Sequence, residues 1–196
     1  METIIRRPGR VAKLPPRERI LDAAEELFQN EGIQRVGVQA IADKAQTTKM
    51  AIYRHFAGKD ELAAEWLRIL AADYQAAYDR AEADHPGRPR EQILALARFV
   101  AEGLPRVSYR GCPFINAIAE LPDRAHPARQ VIEQHKALQT RRLVGLCTAA
   151  ELPDPEQTAA EITFILEGAQ VSNQNSSVDH VAQRVMRIIE AILDRR

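Results

Sequence analysis

The chain has little cysteine, few aromatic residues and no long apolar run. Its two cysteines, Cys112 and Cys147, cannot supply a disulfide framework, so stability has to come from packing and each thiol is expected to be reduced. No stretch approaches the ~20 apolar residues that a membrane helix needs, and no secretory signal follows the N-terminal arginines. Since 45% of the residues are apolar and 28% are charged, we expect a folded, soluble, cytoplasmic protein that has no membrane partner.

Charge of one sign is not in excess over the whole chain. The 196 residues include 27 Lys and Arg against 27 Asp and Glu, which excludes a uniformly basic nucleic-acid coat protein. The distribution is uneven, however, because residues 1–59 carry 11 basic and 7 acidic side chains, a net charge of +4, and residues 60–196 carry −4. The basic segment can meet a polyanion, although a merely solvated surface would show the same imbalance.

The hydrophobic pattern predicts an all-α fold. Apolar residues recur at spacings of three and four, and convincing strand alternation is absent. A first helix is expected from Pro16 to Gly32, with proline and glycine at the ends where helices favour them. Two short helices should follow Gly37 and Thr48, and a long helix should run from Lys59 to about residue 83.

Prolines divide the second half of the chain into five further helices. The first follows the turn cluster at residues 85–89, and a short helix is expected over residues 114–121. A longer helix should run from about residue 125 to 152. Two more helices fit into the last 41 residues, which contain no proline.

The first three helices have the layout of a helix-turn-helix, in which the third helix enters the major groove of double-stranded DNA. If Ile52 turns inward, the opposite side of that helix presents Lys49, Met50, Tyr53 and Arg54. The basic side chains can meet phosphates or guanine edges, the tyrosine can bind a phosphate, and the methionine offers apolar contact to a base. Ordinary solvated charges are the alternative.

A series of residues at the helix junctions makes the interpretation of this region more specific. It comprises Arg19-Ile20-Leu21-Asp22-Ala23-Ala24, Leu27-Phe28, Ile41-Ala42 and Ile52-Tyr53-Arg54-His55-Phe56, followed by Lys59 and Leu62. These residues resemble the TetR family of bacterial transcriptional regulators. The resemblance implies DNA contacts, mostly to the backbone, by Gln39, Thr48, Lys49, Tyr53, His55 and Lys59. For His55, packing between helices is an equal alternative. The sequence departs from the family at Val38 and at Gln46-Thr47 in the turn.

A basic arm precedes the first helix. It consists of Arg6, Arg7, Arg10 and Lys13. We expect the arm to be disordered without DNA and to lie along the minor groove or the phosphates when DNA is bound.

Residues 1–59 are therefore interpreted as the DNA-binding domain, and residues 60–196, by resemblance, as a helical domain that binds a small inducer and dimerises through the last two helices. Apolar stripes on those helices support a homodimer, since they can pair with a second copy as a four-helix bundle. The stripes are Ile162, Ile165, Leu166 and Ala169, and Val181, Val185, Ile188 and Ile192. Stripes that face only their own core are the alternative.

The resemblance implies that the inducer site lies among helices four to seven, and a small-molecule site is typically a largely apolar cavity with a few polar groups. The apolar candidates are Trp66, Leu70, Phe99, Phe114 and Ile118, and the polar candidates are Asn116, Glu120, His135 and Gln170. For most of these residues the alternative is an ordinary place in the core.

Cys112 is a further candidate. The segment from Tyr109 to Glu120 resembles a motif in one subset of TetR-type regulators, in which a Gly-Cys pair opens the sixth helix. A helix N-terminus and nearby Arg110 would stabilise the thiolate, which makes a redox or electrophile sensor an alternative function. A small, inert, buried side chain is the commoner state of a free cysteine.

Motifs of enzyme chemistry are missing from the sequence. It contains no glycine-rich phosphate loop, no Cys-x-x-Cys, no His-Glu-x-x-His and no Gly-x-Ser-x-Gly. We expect no enzyme, no metal and no cofactor, and a purely helical interaction protein is the remaining rival. The leading hypothesis is a repressor that a small molecule releases from its operator. Activation in place of repression stays open.

Overall fold

The computed structural model describes residues 14–104 and 111–195, and all regular structure in these ranges is helical. The helices are α1 (Pro16–Glu31), α2 (Val38–Lys44), α3 (Lys49–His55), α4 (Lys59–Asp84), α5 (Pro89–Gly103), α6 (Pro113–Glu120), α7 (Pro127–Ala149), α8 (Pro155–Gln174) and α9 (Val181–Leu193). The predicted all-α fold is confirmed. The basic arm, and Tyr109 and Arg110 of the Gly-Cys motif, lie outside the described residues.

Prolines, a glycine and capping side chains explain several of the helix ends. Pro16 occupies the first turn of α1, and Gly32 ends that helix with a φ of 93°, a left-handed conformation that glycine adopts at little cost. The Thr48 hydroxyl accepts a hydrogen bond from the Ala51 N–H at 3.2 Å and so caps α3 as predicted. α7 begins later than predicted because Pro127 takes its first position and the His126 ring caps it, accepting from the Ala128 N–H.

The first core joins the helix-turn-helix to the rest of the molecule. It combines buried residues of α1, α2, α3 and the first half of α4 with residues of α6 and the start of α7. Trp66 of α4 packs on Phe28 of α1 with their ring centroids 5.5 Å apart. α3 is therefore held by the same core that holds α6.

A second core lies among α5, the end of α7, α8 and α9. It corrects the predicted stripe of α9 by one residue, because Ile189 is fully buried and Ile188 is 45% exposed. Val185, Ile189 and Ile192 are spaced by four and three residues, which is the ordinary spacing of the buried side of an α-helix. None of the helices in the described ranges is both long and apolar enough to cross a membrane.

Candidate DNA-reading surface and ligand cavity

α3 is amphipathic in the way that a reading helix requires. Ile52 is completely buried in the first core, while Met50 is 66% and Tyr53 51% exposed. Lys49 and Arg54 are exposed as well. The structure therefore brings the four side chains of the predicted DNA-reading surface, residues 49, 50, 53 and 54, together on the solvent side of α3.

The turn before α3 is supported from α1. Gln46 adopts a φ of 50°, a left-handed conformation that tolerates few non-glycine residues. The Arg19 guanidinium donates to the carbonyl of Ala45 at 2.9 Å and more weakly to that of Gln46 at 3.3 Å. This contact was not predicted from the sequence. It holds the turn at Gln46, where the sequence departs from the pattern that it resembles, and so orients α3.

The remaining predicted DNA contacts have different surroundings. His55 is exposed at the end of α3, and its ring centroid lies 6.4 Å from that of Phe56. Gln39 is also exposed, on α2, and donates to the Asp43 carboxylate at 2.6 Å. Lys59, the first residue of α4, donates to the Ile33 carbonyl at 3.0 Å and thereby holds the loop between α1 and α2. A contact of Lys59 with a phosphate would have to use its remaining donors.

A cavity of about 60 Å³ lies between the helices of the C-terminal part. Four predicted ligand residues line it, namely Cys112, Phe114, His135 and Gln170. The other lining residues are Tyr74, Tyr78, Val100, Lys136, Gln139, Thr140, Leu143, Thr163, Leu166 and Glu167. The cavity thus involves α8 in addition to α4, α5, α6 and α7. The missed residues carried a weak signal, since polar side chains recur at spacings of three and four on α7 and α8.

The other predicted ligand residues lie outside this cavity. Phe99 borders an adjoining cleft of about 300 Å³, and Leu70 packs against the first core. Trp66, Asn116 and Glu120 line a separate small pocket beside α1.

Ile118 is also outside the cavity, because it is 37% exposed. The inward line of α6 runs through Phe114, Ala117 and Leu121, all of which are buried, so Ile118 is turned toward solvent.

His135 is the most unusual group in the cavity. It is 4% exposed, and neither ring nitrogen has a hydrogen-bond partner among the described residues. Its ring stacks on Phe114 with centroids 4.5 Å apart and meets the edge of Tyr74 at 5.4 Å. Burial, with a smaller contribution from neighbouring Lys136, lowers the pKa of His135 from 6.5 to about 4. The imidazole is therefore neutral at physiological pH.

This burial predicts a loss of stability in acid. As the pH falls below 6.5, the unfolded chain binds a proton at His135 that the folded chain does not bind until about pH 4. The free energy of unfolding should therefore fall by roughly 3 kcal/mol over that window and be fully retained above it. Denaturant titrations at pH 7.5, 5.5 and 4.5 measure the free energy of unfolding. His135→Phe should lack this pH-dependent loss, and His55→Phe, which changes an exposed histidine, should retain it. Equal pH dependence in wild type and His135→Phe would contradict the prediction.

Cys112 stands immediately before α6 but is buried. Burial raises the pKa of its thiol, and the N–H groups of Ile115 and Phe114 offset only part of that rise. Cys147 is also buried, which raises the pKa of its thiol to about 11. Since the thiolate is the reactive form, the structure favours inert, buried thiols over a sensor at Cys112.

Slow thiol chemistry is the expected result. At pH 7.5 the native protein should react with a disulfide reagent such as dithionitrobenzoate at least a hundredfold more slowly than the guanidinium-unfolded chain, in which both cysteines are accessible. Rapid modification of one thiol that Cys112→Ser abolishes would contradict this and restore the sensor hypothesis.

Comparisons with known proteins agree with the geometry. The model of bacterial regulatory proteins of the tetR family matches residues 20–66, and the model of the tetracyclin repressor-like C-terminal domain matches residues 89–189. HTH-type transcriptional regulator YjdC of Escherichia coli (strain K12) is 26% identical over 152 residues, which are 78% of this chain and 80% of that protein. HTH-type transcriptional regulator TtgR of Pseudomonas putida is 27% identical over 164 residues, 78% and 77% of the two chains.

A solved structure extends the likeness to the whole fold. A TetR-family transcriptional regulator from Streptomyces coelicolor has a TM-score of 0.83 at 29% identity and covers 91% of this chain and 94% of its own. The two family models cover both the helix-turn-helix and the helices around the cavity. Members are generally ligand-responsive repressors, and dimers are typical of them. The chain belongs to the TetR family of bacterial transcriptional regulators.

Proposed function

We propose that this protein is a cytoplasmic repressor whose residues 1–59 bind a DNA operator and whose residues 60–196 bind an inducer and a second copy. The observation that carries the proposal is the division of α3 between a fully buried Ile52 and an exposed set of basic, aromatic and apolar side chains. We also propose that the protein has no catalytic activity. We further propose that the protein belongs to the Gly-Cys subset of the family, because Gly111 and Cys112 directly precede α6.

The dimer is proposed to form through α8 and α9. Phe164 of α8 is 70% exposed, and Val171 of α8 and Ile188 of α9 are each more than two-fifths exposed. Large apolar side chains that are exposed in a single chain are typical of protein interfaces. A twofold axis beside these helices would pair them as a four-helix bundle and would present two copies of α3 to one operator.

α6 provides a route from the cavity to the DNA-reading surface. Phe114 at its start lines the cavity. At its end, the Glu120 carboxylate accepts a hydrogen bond from the Gln34 N–H at 2.9 Å, in the loop between α1 and α2. An inducer that binds better when α6 is displaced would therefore shift this loop and the reading helix attached to it. The ligand needs only a higher affinity for that arrangement to release DNA.

Binding to DNA from upstream of the protein's own coding region tests the proposal. In fluorescence anisotropy we expect tight, salt-sensitive binding with two protomers per site, and at least a hundredfold weaker binding to unrelated DNA of equal length. The upstream region of the adjacent genes should be tested in parallel, since such regulators often control their neighbours. A monomer that binds none of these fragments specifically would favour a helical interaction protein instead.

A further inference from the structure

The cavity holds a polar group that the fold itself does not use. His135 is almost completely buried, and no described residue accepts from or donates to its ring nitrogens. A buried polar group without a protein partner is costly, and such a cost is often tolerated where a ligand supplies the partner. The wall around it is otherwise aromatic, with Phe114 on one face and the edge of Tyr74 close by.

We propose that the ligand of this cavity is an uncharged ring compound that carries a hydroxyl group, and that this hydroxyl forms a hydrogen bond with His135. The proposal rests on the ligand-responsive function proposed above and adds the chemical class of the ligand. A neutral imidazole has one donor and one acceptor nitrogen, and a hydroxyl group can both donate and accept. A hydroxyl group can therefore form a hydrogen bond with either ring nitrogen of His135, whichever faces the ligand.

The charges around the cavity argue for an uncharged ligand. Lys136 and Glu167 are the charged residues that line it, and they pair with each other at 2.6 Å. In the adjoining cleft, Asp73 and Arg80 contribute one charge of each sign, and both are exposed. A charged ligand in the cavity would lose its hydration and would meet only Lys136 and Glu167, which already neutralise each other, so its burial carries a large penalty.

The sizes of the cavity and the cleft indicate where the hydroxyl and the ring of the ligand would lie. The cavity at His135 has about 60 Å³, less than the roughly 150 Å³ that admits benzene, so an aromatic ring does not fit in it entirely. The cleft of about 300 Å³ shares Tyr74, Val100 and Gln170 with it and is bordered by Phe99, whose ring meets Tyr74 edge to face at 5.4 Å. The ring would lie in this aromatic cleft and the hydroxyl would reach inward to His135.

Three naphthalene derivatives test the proposal on the full-length protein at pH 7.5. The hydroxyl compound 2-naphthol, the unsubstituted naphthalene and the anionic 2-naphthoate share one ring system and differ only in the polar group. By calorimetry or ligand fluorescence we expect 2-naphthol to bind at least tenfold more tightly than the other two. Equal binding of naphthalene, tighter binding of 2-naphthoate, or no binding of 2-naphthol would overturn the proposal.

Variants assign the preference to His135. His135→Phe keeps the ring but removes both nitrogens, and should lower 2-naphthol affinity at least tenfold, to that of naphthalene, while His135→Gln restores part of it. Thr148→Val is the control, because it removes an exposed hydroxyl that lies outside the cavity and donates to the Val144 carbonyl at 2.9 Å, and it should leave the affinity for 2-naphthol unchanged. A His135→Phe protein that still prefers 2-naphthol would contradict the assignment.

Two further readouts make the test complete. In wild type, imidazole ¹⁵N resonances of His135 should shift with 2-naphthol and not with naphthalene, which requires no variant. Operator binding is measured separately. If 2-naphthol binds through His135 but the protein stays on DNA, the proposed ligand-responsive release is wrong while the proposed ligand class is supported. If only charged compounds release DNA, the ligand class fails and the proposed function stands.

Discussion

Lys49→Ala is expected to weaken operator binding about a hundredfold while leaving the free energy of unfolding within ~0.5 kcal/mol of wild type. Lys49 is the first residue of α3 and is exposed, and within the described residues its ammonium makes no hydrogen bond or ion pair that its removal would break. A contact to DNA is worth roughly 1–3 kcal/mol, and a dimer loses it twice. Two losses of about 1.4 kcal/mol each correspond to a hundredfold change in affinity.

The salt dependence of the same variant identifies what Lys49 touches. If it contacts phosphates, the slope of log affinity against log salt should become less steep by about two for the dimer, and specific and unrelated DNA should be affected alike. Arg98→Ala removes the same charge from an exposed position on α5 and should change operator affinity less than threefold. An unchanged operator affinity for Lys49→Ala would contradict the proposed role of α3.

Phe164→Glu is expected to convert the protein to a monomer and to lower operator affinity by several hundredfold or more. Phe164 lies on α8 and is 70% exposed in a single chain, so a glutamate there is well tolerated by the monomer. At a twofold interface, however, the substitution would desolvate two carboxylates close to each other, which costs several kcal/mol. A monomer presents only one reading helix, and the second half-site then contributes nothing.

Light scattering after size-exclusion chromatography measures the mass, and anisotropy measures operator binding. Leu138→Glu is the matched control, because it places the same charge on an exposed apolar position of α7 and should leave both the mass and the operator affinity unchanged. A Phe164→Glu protein that remains dimeric would place the interface elsewhere.

Most of the fold could be predicted because helix ends are local events. Pro16, Gly32 and Thr48 terminate or cap helices through contacts within a few residues, and the structure confirms all three. The exposed side of α3 was predictable for a related reason, since burying Ile52 fixes where its neighbours point at 100° per residue. The one-residue error in α9 arose because Ile188 and Ile189 are both apolar and the pattern alone does not choose between them.

The candidate ligand cavity was predictable only in part. The predicted Phe114 and His135 line the cavity, whereas the predicted Trp66 and Glu120 face a different pocket beside α1. The orientation of α6 between α1 and α7 decides which of its faces meets the cavity, and that orientation depends on residues far away in the chain. The same holds for Lys59, whose amine the distant Ile33 carbonyl engages.

By itself, the sequence determined the helical fold, the helix-turn-helix and the family, because each follows from short-range periodicity, capping and an ordered series of residues. The tertiary structure alone decided that Cys112 is buried with a raised thiol pKa, that Thr163, Leu166 and Glu167 of α8 line the cavity, and that His135 has no hydrogen-bond partner among the described residues. Burial and missing partners are properties of packing between helices that are distant in the chain, and no local pattern encodes them.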